Sequence, residues 1–329
     1  MNSRPRLLVT RRMPPNVTNR LQRDYAATLN ADDAVFSAAE LRTHSHGHDA
    51  LLVCASEKLD GAAIDGLPAS VRVIATFSVG YEHIDVDAAA RRGIVVTNTP
   101  DVLTDATADV ALLCLLGAAR RAHEGQSLVR QGRWHGWHTT MLLGTHVSGK
   151  TLGIVGMGRI GRAVAQRARG FNMQVHYYNR SRLAPEFELG AVYHERVETL
   201  LPLAHFLSLN APSSPETARL LNAARLAALP DRAIIVNTAR GDLVDDDALI
   251  AALTSGKVAA AGLDVFRGEP ALDPRYRELD NVFLLPHLGS ATHETRDLMG
   301  FRCLDNLDAF FGDRRCPDAL APVRGEGGR

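Results

Sequence analysis

Three ionisable residues follow three apolar, β-branched runs in the second half of the sequence. Arg240 comes after AIIVNTA, Glu269 lies just beyond AAAGLDVF, and His287 comes after NVFLLP. In open parallel sheets the ligand crevice lies outside the carboxyl ends of the strands, so these side chains can converge on one small substrate. A guanidinium binds a carboxylate through two hydrogen bonds and polarises an adjacent carbonyl, and an imidazole held by a carboxylate donates a proton near neutral pH. We predict a catalytic site of Arg240, Glu269 and His287. Taken singly, each has a plainer interpretation: Arg240 and Asp242 as a surface ion pair, or His287 as the cap of the next helix.

A glycine pattern of the type G-x-G-x-x-G lies between two predicted strands. Gly156, Gly158 and Gly161 provide the glycines, with Arg159 and Ile160 before the last of them. The strand TLGIVG precedes the pattern, a helical pattern follows, and the strand MQVHYY closes the unit. This context predicts a dinucleotide site, because the glycines permit a tight turn and a close approach of pyrophosphate to a helix N-terminus. A glycine-rich turn without a ligand is the alternative.

The residues after the second strand indicate which dinucleotide binds. An NAD site usually has an acidic residue here, which accepts hydrogen bonds from the adenosine ribose. This chain has Asn179, Arg180, Ser181 and Arg182 instead. Two guanidinium groups and a hydroxyl can donate hydrogen bonds to the 2′-phosphate of NADP, so we predict NADPH as the cofactor, with NADH weaker. A solvated basic turn is the alternative.

One candidate substrate contact precedes the glycine pattern. The stretch FSVGYEHID ends a predicted strand in the first hundred residues. A tight turn at Gly80 would aim the backbone N–H groups of Val79 and Gly80 at an anion. A simple strand-to-helix turn is the alternative.

The composition excludes several classes of protein. Lys plus Arg and Asp plus Glu number 37 each, so no overall field favours nucleic acid or a membrane. Four cysteines without metal-ligand spacing indicate free thiols in a reducing compartment. The N-terminal MNSRPRLLVTRR lacks the apolar core of a signal peptide, and the longest apolar stretch, VALLCLLGAA, is about half a membrane span. We expect a cytoplasmic protein.

Alternating strand and helix patterns predict the organisation of the chain. The strands RLLVT, DALLVCA, VRVIATFS and GIVVTN come first, and six more run from TLGIVG to NVFLLP. Such alternation predicts parallel sheets covered by helices. Between the two sets, a helix starting at DATADVALLCLL is apolar on all sides, which indicates burial by more than its own domain. The stretch HETRDLMGFRCLDNLDAFFGD predicts a last helix that returns to the first domain, and VRGEGGR resembles a disordered tail. We place one domain at residues 1–103 and 288–329 and the other at 104–287.

Several long motifs together resemble the D-isomer-specific 2-hydroxyacid dehydrogenase family, most specifically its glyoxylate/hydroxypyruvate reductase branch. They are SVGYEHID, TADVALLCLL, GIVGMGRIG, NTARGDLVDDDALIAAL, AAAGLDVFRGEP and LLPHLGSATHETR. The resemblance covers nearly the whole chain, from about residue 6 to about residue 313. It implies an α/β fold with two doubly wound parallel-sheet domains, a Rossmann dinucleotide-binding domain and a flavodoxin-like substrate domain. It also implies NADPH-dependent reduction of small 2-oxo acids, glyoxylate and hydroxypyruvate, by hydride transfer.

The resemblance also assigns roles to residues. Arg240 would bind substrate, His287 would be the acid–base residue paired with Glu269, and backbone around Val79 and Gly80 would hold the substrate carboxylate. Asp264 would contact the nicotinamide carboxamide. Four further positions would line the cofactor: Thr107, Ala239, Gly289 and Ser290. Members of the family are typically dimers, and Trp137 is our candidate for a residue that reaches the neighbouring subunit's substrate site, with an ordinary interface anchor as the alternative.

The departures and alternatives are few. Asn179 stands where NAD-preferring members have an acidic residue. The histidines of HSHGHD have a spacing that could hold a metal, but the family's hydride chemistry needs none, so we expect no metal site. Other members act on other 2-hydroxy acids, on formate or on phosphite, and some relatives are nucleotide-sensing corepressors. Formate enzymes have an amide where Glu269 stands here, and no extension or basic domain points to a corepressor.

Overall fold

The computed structural model describes residues 4–312 and 314–321, so the predicted tail VRGEGGR lies outside the described residues. The chain separates into two compact units. The first comprises Met1–Leu103 and Ala291–Arg329, and the second comprises Thr104–Ser290. Residues 288–290, which we predicted to belong to the first domain, therefore lie in the second unit. The reason is local, because Leu288 and Gly289 are hydrogen-bonded to Asp264 of that unit.

The strands are short and form two sheets. Those of the first unit are β1 (Arg6–Val9), β2 (Ala26–Leu29), β3 (Ala50–Val53), β4 (Val73–Thr76) and β5 (Val95–Thr97). Those of the second unit are β6 (Thr151–Val155), β7 (Gln174–Tyr178), β8 (Val192–His194), β9 (Phe206–Leu209), β10 (Ala233–Asn237), β11 (Val258–Leu263) and β12 (Val282–Leu284).

Helices connect the strands. The first four are α1 (Pro15–Asp24), α2 (Ala38–Ser45), α3 (Gly61–Asp65) and α4 (Val86–Arg91). The next seven are α5 (Thr104–Ala119), α6 (Ala122–Arg130), α7 (Arg159–Arg169), α8 (Pro185–Glu188), α9 (Val197–Leu200), α10 (Ala223–Ala227) and α11 (Asp246–Thr254). The last is α12 (His293–Phe311), and 3₁₀ turns occupy Leu201–Leu203, Gly241–Leu243 and Pro274–Glu278. Within the described ranges, no helix combines the length and apolar character needed to cross a membrane.

Both sheets are parallel and doubly wound. The first has the order β2-β1-β3-β4-β5, which is the flavodoxin-like order. The second has the order β12-β11-β10-β9-β6-β7-β8. Its strand order reverses between β6 and β9, as in Rossmann folds, and this switch point is where such sheets bind nucleotides. The predicted α/β fold class is confirmed.

Two strands were not predicted, β2 and β8. Both lie at the edge of a sheet, and both are short and partly solvent-exposed. An edge strand has one neighbour and needs no continuous apolar run, so the signal that revealed the buried strands is weak there.

In the first unit, the last helix closes the core. Met299, Cys303 and Leu307 of α12 join a buried cluster with residues of α1, β1, β3 and β4. Gly300 allows the close approach of α1, since a Cβ there would lie 2.3 Å from a methyl carbon of Val17. This unit is therefore built from two segments of the chain.

In the second unit, α5 packs on the sheet through its small residues. A Cβ at Gly262 of β11 would lie 2.4 Å from the carbonyl oxygen of Cys114, so the helix and the strand touch through their backbones. Ala111, Leu112 and Leu115 are buried in the same cluster. Leu113, on another side of α5, is 48% exposed in the single chain. One side of this apolar helix is therefore not covered by its own unit.

Candidate active site

His287 and Glu269 are hydrogen-bonded to each other. Nδ1 of His287 lies 2.7 Å from Oε2 of Glu269, and Oε1 of Glu269 accepts the N–H of Phe266 at 2.7 Å. Burial acts to raise the pKa of Glu269, but the hydrogen bonds from His287 and Phe266 outweigh it, and the pKa is lowered overall. Because an ionised carboxylate only accepts, Nδ1 carries the proton and Nε2 is left to exchange a proton with a ligand.

A turn of unusual conformation presents His287. Its φ is +56°, in the left-handed region, where His is more common than most side chains. Asp264, at the end of β11, holds this turn. Its carbonyl accepts the N–H of His287 at 2.8 Å, and its carboxylate oxygens accept the N–H groups of Leu288 at 2.7 Å and Gly289 at 2.9 Å. Asp264 is 1% exposed, and burial raises the pKa of its carboxyl group.

Arg240 follows β10 and begins a 3₁₀ turn. The side chain of Asn237 fixes this bend, since it accepts the N–H of Ala239 at 3.0 Å and donates to the carbonyl of Arg240 at 2.8 Å. The next residue must be glycine, because a Cβ at Gly241 would lie 2.0 Å from the carbonyl carbon of Phe266. The Arg240 turn thus lies directly against the segment that leads to Glu269.

The three predicted catalytic residues therefore follow three adjacent strands, β10, β11 and β12, at one edge of one sheet. The positive charge of Arg240 contributes to the lowered pKa of Glu269, so the two side chains interact electrostatically. The three side chains are a permanently charged guanidinium, an ionised carboxylate and an imidazole whose Nδ1 carries the proton. It can bind an anion, polarise a carbonyl and transfer one proton.

The glycine loop between β6 and α7 fits a dinucleotide. Gly156 has a φ of +94°, and a Cβ there would lie 2.5 Å from the backbone nitrogen of Ala211. A Cβ at Gly161 would lie 2.2 Å from the carbonyl oxygen of Gly156. At Gly158, which caps α7, no atom lies within 4 Å of the Cβ position. Two glycines close the turn tightly, and the third leaves open space at a helix N-terminus for a pyrophosphate.

The segment after β7 makes two side-chain contacts that the sequence did not reveal. Oδ1 of Asn179 accepts the N–H of Met157 at 2.7 Å, so this side chain fixes the glycine loop. Arg182 donates to both carboxylate oxygens of Glu188, at 2.7 Å and 3.1 Å. Arg180 and Ser181 are exposed. The sequence indicated two arginines for a phosphate, but it did not reveal the carboxylate that holds one of them.

Other predicted cofactor positions belong to the same unit. Oγ1 of Thr107, in the first turns of α5, donates to the carbonyl of Gly289 at 3.1 Å, and Thr107 is 5% exposed. Ala239 lies in the bend before Arg240, and Ser290 is the last residue of the unit. Thr107, Asp264 and Gly289 thus form one hydrogen-bonded group around the His287 turn.

Val79 and Gly80 lie in the first unit, after β4. The side chain of Asn98 donates to the carbonyl of Val79 at 2.8 Å, and Oγ of Ser78 donates to the carbonyl of Gly80 at 2.7 Å. Oγ of Ser78 also lies 2.8 Å from Oγ1 of Thr76. Side chains therefore hold both carbonyl groups of this loop, which fixes the direction of its peptide planes.

Two further predictions concern exposed positions. Trp137 is 74% exposed in the single chain. The histidines of HSHGHD have separate contacts: His44 stacks on Phe36, and His48 hydrogen-bonds Thr28 at 2.8 Å. Among the described residues, no group of three or more His, Cys, Asp or Glu side chains is arranged to hold a metal ion.

Comparison with known proteins identifies the family. The sequence profile described as D-isomer specific 2-hydroxyacid dehydrogenase, NAD binding domain, matches residues 112–289. A glycerate dehydrogenase of Hyphomicrobium methylovorum is 42% identical over 321 residues, covering 97% of this chain and all of that protein. A glyoxylate reductase of Thermococcus litoralis is 44% identical over 312 residues, covering 93% of this chain and 94% of that protein.

The chain belongs to the D-isomer-specific 2-hydroxyacid dehydrogenase family. Among solved structures, an NADPH-dependent glyoxylate/hydroxypyruvate reductase of Sinorhizobium meliloti, in complex with NADP and malonate, matches with a TM-score of 0.88 and 35% identity. The match covers 99% of this chain and all of that one. The predictions of the family and of an NAD(P)-dependent dehydrogenase are confirmed.

Three contributors to this dehydrogenase site were not predicted. Asn237 and Gly241 shape the Arg240 bend, and Glu188 holds Arg182. The N-T-A-R-G run contained the first two, and their role follows from the need for a sharp bend directly after a strand. Nothing in the sequence around Glu188 distinguishes it from the acidic residues of a solvated helix.

Proposed function

We propose that this dehydrogenase reduces small 2-oxo acids, glyoxylate and hydroxypyruvate, to 2-hydroxy acids with NADPH. The observation that carries the proposal is the 2.7 Å hydrogen bond between His287 Nδ1 and Glu269 Oε2, beside a turn that begins with Arg240. An ordered imidazole–carboxylate pair next to a guanidinium suits the reduction of a carbonyl that is adjacent to a carboxylate.

In the proposed mechanism, the guanidinium of Arg240 binds the 2-oxo acid and stabilises the negative charge that develops on its carbonyl oxygen. Protonated His287 donates the proton on Nε2 to that oxygen. The ionised Glu269 holds the Nδ1 proton, orients the ring and stabilises the imidazolium before transfer. NADPH, when bound, supplies the hydride for the carbonyl carbon.

Backbone N–H groups at Val79 and Gly80 are proposed to bind the substrate carboxylate. The peptide planes that carry these two N–H groups are held through the carbonyl of Ser78, which accepts the N–H of Thr99 at 3.0 Å, and the carbonyl of Val79, which accepts from the side chain of Asn98 at 2.8 Å. A preorganised donor pair costs no rearrangement when the anion binds. The remaining cofactor roles, those of Thr107, Ala239, Asp264, Gly289 and Ser290, stay as proposed from the family resemblance.

The proposed preference for NADPH rests on the residues after β7. Position 179 has an amide in place of a carboxylate, and exposed Arg180 and Ser181 follow it. A guanidinium and a hydroxyl are suitable donors to a 2′-phosphate, which a carboxylate would repel. The related Sinorhizobium meliloti enzyme is NADPH-dependent, which agrees with this preference.

The choice of substrate rests on relatives. One is a glycerate dehydrogenase and another is a glyoxylate reductase. Reduction of hydroxypyruvate yields glycerate, so both names agree with one small pocket for two- and three-carbon 2-oxo acids.

A matrix of initial rates tests the proposal. It crosses glyoxylate, hydroxypyruvate, pyruvate and phenylpyruvate with NADPH and NADH, followed at 340 nm. We expect the highest kcat/KM for glyoxylate or hydroxypyruvate with NADPH. A higher kcat/KM with NADH contradicts the cofactor assignment, and preference for phenylpyruvate contradicts the substrate assignment.

We also propose a homodimer in which Trp137 reaches the partner's substrate site. Large apolar side chains are exposed near this position, among them Val129, Trp134 and Leu143. Exposed clusters of this kind favour a protein interface. Light scattering that gives the mass of a monomer at micromolar concentration contradicts the dimer, and an unchanged KM in Trp137→Ala contradicts the substrate role.

A further inference from the structure

Glu188 is a buried carboxylate with three donors. The residue is 7% exposed. It accepts the hydroxyl of Tyr177 at 2.8 Å, Nε of Arg182 at 2.7 Å and Nη2 of Arg182 at 3.1 Å. The hydrogen bonds from Arg182 and Tyr177 keep the pKa of Glu188 below its usual value, so the carboxylate is ionised at neutral pH. Nothing in the proposed reaction uses this group.

The same network fixes the segment that follows β7 at both ends. At its start, Asn179 accepts the N–H of Met157 at 2.7 Å. At its end, the N–H of Leu183 donates to the hydroxyl of Tyr177 at 3.1 Å, and the Tyr177 ring is fully buried. The exposed residues between these anchors, Arg180, Ser181 and Arg182, are therefore presented from a fixed backbone.

Arg182 is held by the network rather than available to a ligand. Its guanidinium makes a two-pronged pair with Glu188 and lies 5.9 Å from the centre of the Tyr193 ring. Movement of Arg182 to a phosphate would leave the buried Glu188 carboxylate without a counter-ion. Although the Arg182 side chain is 63% exposed, its departure would leave Glu188 with the Tyr177 hydroxyl in place of two charge-assisted hydrogen bonds, which favours the paired arrangement when a ligand approaches.

We propose that Glu188 is a positioning residue which, through Arg182 and Tyr177, fixes the 179–183 segment so that Arg180 and Ser181 receive the 2′-phosphate of NADPH. In this arrangement Arg180, not Arg182, is the cation that contacts the phosphate. The inference rests on the proposed preference for NADPH and adds to it the residues that create the preference.

A role for Arg182 as the phosphate ligand predicts the opposite change in NADPH binding when Glu188 is substituted. If Arg182 were the phosphate ligand, Glu188 would compete with the phosphate for it. Glu188→Gln would then release Arg182 and strengthen NADPH binding. If Glu188 positions the segment, the same substitution weakens NADPH binding.

The experiment measures the dissociation constants of NADPH and NADH by isothermal titration calorimetry for five full-length variants. They are Glu188→Gln, Arg182→Met, Glu188→Gln/Arg182→Met, Arg180→Met and the control Glu198→Gln. Glu198 also pairs with an arginine of the same unit, Arg225, at 2.9 Å, and lies on a different helix, α9. The thermal midpoint of each variant shows whether it folds. A merely structural role would weaken both cofactors equally, so the ratio of the two constants is the decisive quantity.

We expect Arg180→Met to reduce the preference for NADPH by about tenfold or more, the effect of losing one charge-assisted hydrogen bond. Glu188→Gln and Arg182→Met should each reduce the preference by roughly three- to tenfold, and the double variant should reduce it no further, because the two residues act as one unit. Glu198→Gln should leave the ratio unchanged.

The inference is overturned if Glu188→Gln raises the preference, if the ratio is unchanged in both Glu188→Gln and Arg182→Met, or if Arg180→Met has no effect. If the Glu188→Gln variant does not fold, the surface substitution Arg182→Met decides. A wild-type protein that binds NADH more tightly refutes the proposed cofactor itself and this inference with it. A wild-type preference for NADPH with unaltered ratios in the variants refutes the inference alone.

Discussion

The backbone carbonyl of Asp264 accepts the N–H of His287 at 2.8 Å, and the carboxylate of the same residue accepts the next two N–H groups along the chain. One buried residue at the end of β11 therefore holds three consecutive peptide groups after β12. This arrangement maintains His287 at a φ of +56°, a conformation that costs about 1–3 kcal/mol and persists only where the surroundings enforce it. The orientation of the proposed acid–base residue is thus determined by a neighbouring strand.

Asp264→Asn should weaken this turn. The amide presents an NH₂ group toward one of the two backbone N–H groups, so one hydrogen bond is lost and a buried donor is left unsatisfied, at a cost of about 1–3 kcal/mol. We expect a lower thermal midpoint together with a lower kcat on glyoxylate. A variant that keeps both wild-type values would show that the turn does not depend on the carboxylate.

His287→Ala should reduce kcat by roughly 10²–10⁴-fold, the usual contribution of a positioned general acid. The fold should persist, because the His287 side chain is about half exposed and its backbone hydrogen bond is retained. His205, an exposed histidine of the same unit, provides the matched control His205→Ala. Steady-state rates with saturating NADPH and glyoxylate measure the effect, and near-normal kcat in His287→Ala would remove the assignment.

Two glycines near the site should respond to alanine in different ways. Gly241→Ala places a Cβ 2.0 Å from the carbonyl carbon of Phe266, so the backbone must move and Arg240 moves with it. We expect a lower thermal midpoint and at least about a tenfold loss of kcat/KM, since small misplacements of a substrate-binding group are costly. Gly158→Ala meets no atom within 4 Å. It should fold with an unchanged midpoint and bind NADPH more weakly, because the methyl group occupies the space proposed for the pyrophosphate.

Equal midpoints for Gly241→Ala and wild type would contradict the close contact between the Arg240 turn and Phe266. Unaltered NADPH affinity in Gly158→Ala would contradict the proposed position of the pyrophosphate. Differential scanning calorimetry of both variants, without and with NADPH, measures the thermal midpoint and the stabilisation that the bound cofactor provides.

The sequence predicted the parts of the site that are set by strand ends. Buried strands produce continuous apolar runs, and residues that follow such runs lie at the carboxyl edge of the sheet. Arg240, Glu269 and His287 could therefore be placed from the sequence, and the glycine spacing located the loop before α7. The fold class follows from the same runs.

What the sequence could not predict depends on contacts between distant residues. The pairing of Arg182 with Glu188 depends on how the chain enters α8 between them, at Ala184, which has extended backbone angles, and Pro185. The assignment of residues 288–290 to the second unit depends on hydrogen bonds to Asp264 across 24 and 25 positions of the chain. Neither the chain's entry into α8 nor the long-range acceptor has a periodic signal in the sequence.

Two histidines on neighbouring strands should make the second unit sensitive to acid. Nδ1 of His176 lies 2.9 Å from Nε2 of His194, whose Nδ1 lies 3.0 Å from Oγ1 of Thr199. That hydroxyl donates to the carbonyl of Arg196, so His194 Nδ1 donates to it and His194 Nε2 accepts from His176. This chain of hydrogen bonds requires the His194 ring to be neutral, because its Nε2 accepts while its Nδ1 donates. Burial, together with the charge that His194 would carry, lowers the pKa of His176, and burial lowers the pKa of His194.

The sign of the pH effect follows from these shifts. In the unfolded chain both rings titrate near a pKa of about 6.5. Below that pH the unfolded state binds more protons than the folded state, so stability is fully present above about pH 6.5, falls as the pH drops through it, and levels off below the folded pKa values. The thermal midpoint of the wild type should therefore decrease when the pH is lowered from 7.5 to 5.5. His176→Gln removes one of the two titrating groups and should lose less over the same range, whereas the exposed control His205→Gln should follow the wild type. Parallel curves for His176→Gln and wild type would show that the ring pair does not couple folding to protonation.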